Sequence, residues 1–114
     1  MVSVTIYHNP RCSKSRAALT LLRERGVEPR IIEYVKTPPT ADEFRQVLTM
    51  LNLRPRQLLR AAEAKAAGLD DPSLDDEKLI AGMLANPIAI ERPIVIAGDR
   101  ARLGRPPEKV LEIV

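Results

Sequence analysis

The sequence predicts an α/β fold: a mixed four-stranded sheet between helices, with a helical block inserted between a βαβ half and a ββα half. Three observations carry this. Alternating apolar positions give way to helical spacing and return to short apolar runs near the C-terminus. Proline, glycine and capping residues fall at each change of period. The chain has 114 residues, 45% apolar and only 3% aromatic, which is one domain's length and demands an aliphatic core.

Taken in order, Val2 to Tyr7 reads as a strand, with Val2, Val4 and Ile6 alternating with the β-favouring Thr5 and Tyr7. His8-Asn9-Pro10-Arg11 ends it, because proline lacks an amide proton and disfavours helix at the residue before it. A helix is expected from Ser13 to Arg25, with Ala17, Ala18, Leu21 and Leu22 on one face and Gly26 just past its end. Pro29 to Val35 is the next strand, centred on Ile31 and Ile32.

Thr37-Pro38-Pro39-Thr40 stops the chain and restarts it. Thr40 with Glu43 forms a capping box ahead of Phe44, Val47, Leu48 and Leu51. Pro55 opens a third helix, running through Leu58, Leu59 and Ala62 toward Gly68. Asp70-Asp71-Pro72 links to a fourth, capped by Ser73 or Asp75 and carrying Leu79, Ile80, Met83 and Leu84. Asn86-Pro87 closes it. Pro93 to Ala97 is a fully apolar strand, Gly98-Asp99 a hairpin turn, and Ala101 to Leu103 the returning strand. Pro106-Pro107 then opens a last helix, with Val110, Leu111, Ile113 and Val114 on its buried side. The expected organisation is a single domain over 1–114 with the helical insertion at about 40–86.

The net charge of +3 is small and its basic residues are scattered, so a nucleic-acid partner is not expected. No apolar run reaches membrane-spanning length, and the N-terminus lacks the pattern of a signal peptide, so the expected location is the cytoplasm. One cysteine excludes an internal disulfide framework, and one histidine excludes a multi-histidine metal site. No bound metal or cofactor is expected, and a monomer is the expected state.

The single cysteine, Cys12, falls where the first strand's loop meets the first helix. A helix N-terminus carries about half a positive charge, and it both stabilises a thiolate and cradles an oxyanion. His8, Arg11, Lys14 and Arg16 add nearby basic groups. A lone cysteine is also a common core residue, but a polar, proline-containing loop is poor packing material. Ser15 occupies the second position of a C-x-x-C spacing, so the site cannot close its own disulfide. Its hydroxyl is placed to hydrogen-bond the sulfur or to serve simply as a first-turn serine. His8 is read as electrostatic support for Cys12 or as a strand-end histidine in solvent.

His8-Asn9-Pro10-Arg11-Cys12-Ser13-Lys14-Ser15-Arg16 resembles the active-site loop of the glutaredoxin-coupled arsenate reductases. Thr37-Pro38-Pro39-Thr40, Leu58-Leu59-Arg60, Glu91-Arg92-Pro93-Ile94-Val95 and Gly104-Arg105-Pro106 extend the resemblance collinearly along essentially the whole chain. The resemblance implies a thioredoxin-like fold. It implies that the Cys12 thiolate attacks arsenate, that glutathione then adds as co-substrate, and that glutaredoxin releases arsenite. Arg60, Arg92 and Arg105 match the arginines that hold the oxyanion, and Arg16 joins them as a candidate ligand. His8 matches the residue that lowers the cysteine pKa, Ser15 the one that hydrogen-bonds the sulfur, and Pro93 the cis-proline facing the cysteine. Arginine suits the task, since its planar fork binds oxyanions bidentately and keeps its charge.

The chain looks closest to a short branch of the family. It ends after its last helix, and it carries Arg11 and Lys14 where the better-characterised branch has small residues around its cysteine. Two other readings stand beside reduction of arsenate. One is a general monothiol oxidoreductase. The other is a non-catalytic regulator or binding protein on the same fold, although the related regulators carry a second cysteine where this chain has Ser15.

Overall fold

The computed structural model describes residues 3–114, so Val2 of the expected first strand lies outside the described residues. Two compact units emerge: residues 1–37 with 92–114, and residues 38–91.

The first unit is the sheet. Strands β1 (Val4–Tyr7), β2 (Arg30–Ile32), β3 (Ile94–Ala97) and β4 (Arg100–Leu103) lie in the order β2-β1-β3-β4. β1 and β2 run parallel, joined by helix α1 (Ser13–Glu24), while β1–β3 and β3–β4 are antiparallel. Ile6 stands opposite Val95, and Val4 opposite Ala97, so alternation puts all four on one face. That face packs with Ala18, Leu19 and Leu22 of α1 and with Val110 and Ile113 of a C-terminal 3-10 helix (Pro107–Ile113). Burying each of the large aliphatic side chains contributes about 1.5–3 kcal/mol, and the cluster needs no aromatic ring.

Three local expectations changed in this unit. The buried face of α1 is Ser15, Ala18, Leu19 and Leu22, one position off the expected stripe, with Ala17 exposed. β2 is only three residues long because a turn follows at once: the amides of Lys36 and Thr37 both donate to the Glu33 carbonyl, and Tyr34 is buried there. The last helix is 3-10, whose three-residue repeat puts Val110 and Ile113 on one side and leaves Val114 exposed. The hairpin turn is as expected, with Gly98 supplying the positive φ (64°) that so short a loop requires.

The second unit is helical: α2 (Ala41–Leu51), α3 (Ala61–Ala66) and α4 (Asp76–Ala85). Thr40 Oγ1 accepts from the Glu43 amide at 3.1 Å and Glu43 Oε1 accepts from the Thr40 amide at 2.9 Å, completing the capping box. Asp75, rather than Ser73, caps α4 by accepting from the Lys78 amide. Phe44, Val47 and Leu48 of α2 and Leu79, Ile80 and Met83 of α4 are buried.

The expected third helix is split into a 3-10 turn (Pro55–Leu58) and α3. Leu59 is extended and bridges Ile90: the Arg60 amide donates to the Ala89 carbonyl and the Glu91 amide to the Leu58 carbonyl, both at 2.8 Å. Those backbone groups are spent on a distant segment instead of on a continuous helix. Among the described residues, no helix is long and apolar enough to cross a membrane.

Candidate active site

The register of the sheet gathers one end of it. Tyr7 pairs with Ile94, and Ile94 with Leu103. The loop after β1, the Arg92-Pro93 step before β3 and the Gly104-Arg105 step after β4 therefore leave the sheet at the same end. The His8 amide, donating to the Ile32 carbonyl at 2.8 Å, extends this end toward β2.

Cys12 is the N-cap residue of α1, with φ −94° and ψ 122°, and is half-buried. Its side chain makes no capping hydrogen bond, so the thiol is not consumed in holding the helix. The loop is held by Asn9 instead, a residue the sequence reading did not single out. Asn9 Oδ1 accepts from the Arg11 amide at 3.0 Å, and its carbonyl accepts from the Cys12 amide at 2.9 Å. This is the turn chemistry typical of asparagine, and the Asn-Pro pair was the available signal.

Ser15 is completely buried. Its Oγ accepts from the Asn9 amide at 3.0 Å and lies 2.7 Å from His8 Nδ1. His8 is itself only 7% exposed, and its pKa is lowered from the ordinary 6.5, chiefly by burial. Arg23 and Arg16 push the same way, while Glu33 opposes them. The shift favours the neutral imidazole. The Asn9 amide brings its own proton to this hydroxyl, so among the described residues the Ser15 proton has only His8 Nδ1 to go to; Ser15 is therefore assigned as the donor and the ring proton to Nε2. The structure joins His8, Asn9 and Ser15 in one buried network, and the Asn9 carbonyl ties it to the Cys12 amide. In it His8 is a hydrogen-bond partner of Ser15.

Arg16 is exposed, and its Nη1 donates to the Pro10 carbonyl at 2.8 Å, bracing the loop. Arg92 is buried, with its carbonyl accepting from Arg105 Nη1 at 3.1 Å. The Arg92–Pro93 and Arg105–Pro106 peptide bonds are both cis. Gly104 lies against this step: its amide donates to the Pro93 carbonyl at 2.8 Å, and a Cβ there would sit 2.7 Å from the Pro93 ring.

Arg60 belongs to the helical unit, at the N-cap of α3. Its Nε lies 3.4 Å from Glu91 Oε1 and 3.6 Å from Glu63 Oε2. These counter-ions were also missed from sequence. The i,i+3 spacing of Glu63 was visible, but the approach of Glu91 depends on the bridge to Ile90.

Known proteins resemble this chain in sequence and in fold. The ArsC family model matches residues 7–113. The arsenate reductase of Neisseria meningitidis is 42% identical, over 96% of this chain and 97% of its own length. Uncharacterised protein YfgD of Escherichia coli is 53% identical, over 97% of this chain and 96% of its own length. The solved structure of an arsenate reductase from Vibrio cholerae superposes with a TM-score of 0.94 at 46% identity, covering 99% of this chain and 98% of that one. The sheet and its helices therefore form the mixed α/β sheet that the residue pattern predicts and the thioredoxin-like fold that the resemblance implies. With the match running from the end of β1 to the final 3-10 helix, the chain belongs to the ArsC family.

Proposed function

We propose that this protein is an arsenate reductase in which Cys12 is the nucleophile and glutathione and glutaredoxin supply the electrons. The observation that carries the reading is the placement of Cys12: half-buried at the N-cap of α1, making no cap bond of its own, on a loop anchored by buried Asn9 and Ser15. The arsenate reductases at 42–44% identity support the substrate.

In this reading the Cys12 thiolate attacks arsenic, an S–As bond forms, and an arsenate oxygen leaves as water after protonation. The first-turn amides of α1 and the guanidiniums of Arg92 and Arg105 offset the charge of an anionic nucleophile meeting an anionic substrate, and Arg60 is read from the family resemblance as a further oxyanion ligand. Glutathione then displaces a second oxygen as water. A glutaredoxin thiol attacks the glutathione sulfur. The electron pair of the S–As bond passes to arsenic, arsenic(V) becomes arsenic(III), and two thiols become one mixed disulfide. Hydrolysis of the remaining Cys12–arsenic bond releases arsenite and returns the thiol. Because Cys12 is the only cysteine, the reductant must come from outside the chain.

The test is a coupled assay with purified protein, arsenate, glutathione and glutaredoxin, measuring arsenite. The wild type is expected to turn over and Cys12→Ser to be inactive. Arsenite formation that survives Cys12→Ser, or none from the wild type, overturns the proposal.

A further inference from the structure

Arg60 carries one positive charge and faces two carboxylates, Glu91 at 3.4 Å and Glu63 at 3.6 Å. All three side chains are shielded, at 29%, 18% and 27% exposed. Elsewhere in the same unit, Arg45 and Arg54 meet their carboxylates on open surface, where such pairs count for little. The Arg60 group is also imperfectly matched: Glu63 Oε2 is buried and accepts no hydrogen bond, so it neighbours the guanidinium as a charge and not as a bonded partner. Counted together, Arg60, Glu63 and Glu91 sum to −1, and Glu91 also engages a further partner. An anion drawn to Arg60 must therefore displace a carboxylate or meet its repulsion.

We propose that Glu91, with Glu63 behind it, sets the anion affinity of Arg60 by competing for its guanidinium, so that oxyanion binding at Arg60 is an exchange of one carboxylate for the substrate. This rests on the reading of Arg60 as an oxyanion ligand. In the resting protein both carboxylates lie beside the guanidinium Nε and offset its charge. When the oxyanion engages, the Arg60–Glu91 pair opens, and the strength of that pair is subtracted from the apparent affinity. The two glutamates are positioning residues that act through Arg60.

Isothermal titration with arsenate measures this directly, in the Cys12→Ser protein so that no turnover intervenes. Removing one negative charge roughly 7 Å from an arsenate carrying one to two negative charges, at an effective dielectric of about 60, strengthens binding about four- to fifteen-fold. Glu91→Gln is expected to tighten arsenate by that factor and Glu63→Gln by less. Arg60→Ala is expected to weaken it, and in that background Glu91→Gln is expected to change it less than about two-fold. Thermal unfolding of each variant checks that it is folded, and Glu63→Gln serves if Glu91→Gln is not. Unchanged or weaker binding in both glutamine variants overturns the inference. So does a gain of full size without Arg60, or an Arg60→Ala protein that binds like its parent. The coupled assay judges the reaction separately: a wild type that makes no arsenite while Glu91→Gln tightens arsenate would refute the catalytic reading and leave the exchange at Arg60 standing.

Discussion

Ser15→Ala offers the sharpest test of how the Cys12 loop is held. The hydroxyl is fully buried and serves two groups, the Asn9 amide at 3.0 Å and His8 Nδ1 at 2.7 Å. Deleting Oγ creates almost no cavity but orphans a buried donor and a buried acceptor. Each orphaned group costs about 1–3 kcal/mol, and sharing of the loss brings the total to roughly 2–4 kcal/mol. For a chain of this size that lowers the melting temperature by roughly 8–16 °C. Ser13→Ala is the control: Ser13 is an exposed first-turn serine of the same helix, and its loss is expected to cost under about 0.5 kcal/mol. Calorimetry or urea unfolding reads the stability, and nitrogen chemical shifts of the His8 ring read the tautomer. The wild type is expected to carry its ring proton on Nε2, and Ser15→Ala to lose that preference. A Ser15→Ala protein as stable as Ser13→Ala, or a wild-type ring protonated on Nδ1, would refute the donor assignment.

Gly104→Ala forces a Cβ to 2.7 Å from the Pro93 ring and 3.1 Å from Val110 Cγ1. Because a proline ring cannot swing aside, the expected cost is about 1–3 kcal/mol by chemical denaturation, with a loss of arsenate affinity as the Arg92-Pro93 step shifts. His8 predicts a pH dependence. Its folded-state pKa lies below 6.5, so just below pH 6.5 the unfolded chain binds more protons than the folded one, and stability falls as the solution is acidified through that range. A series of urea midpoints from pH 7.5 to 5 is expected to decline in the wild type and to flatten in His8→Asn.

What the sequence by itself determined was whatever short-range chemistry dictates. The capping box of Thr40 and Glu43 spans three residues and forms as the pattern requires. Gly98 marks the hairpin, and Pro10 separates β1 from α1, which put Cys12 at a helix start before any contact was known. The family's residues lie along the whole chain, so membership too was legible. Tertiary structure decided whatever depends on which groups meet when distant segments fold together. The Leu59–Ile90 bridge took the backbone groups that would have continued a helix, and the same segment brought Glu91 to Arg60. Burial, which no local pattern specifies, lowered the pKa of His8 and set its ring against the Ser15 hydroxyl. The physical reason is one of range. Caps and turns are satisfied within a few residues, whereas the dielectric around a titratable ring and the counter-ion of an arginine exist only once the core has formed.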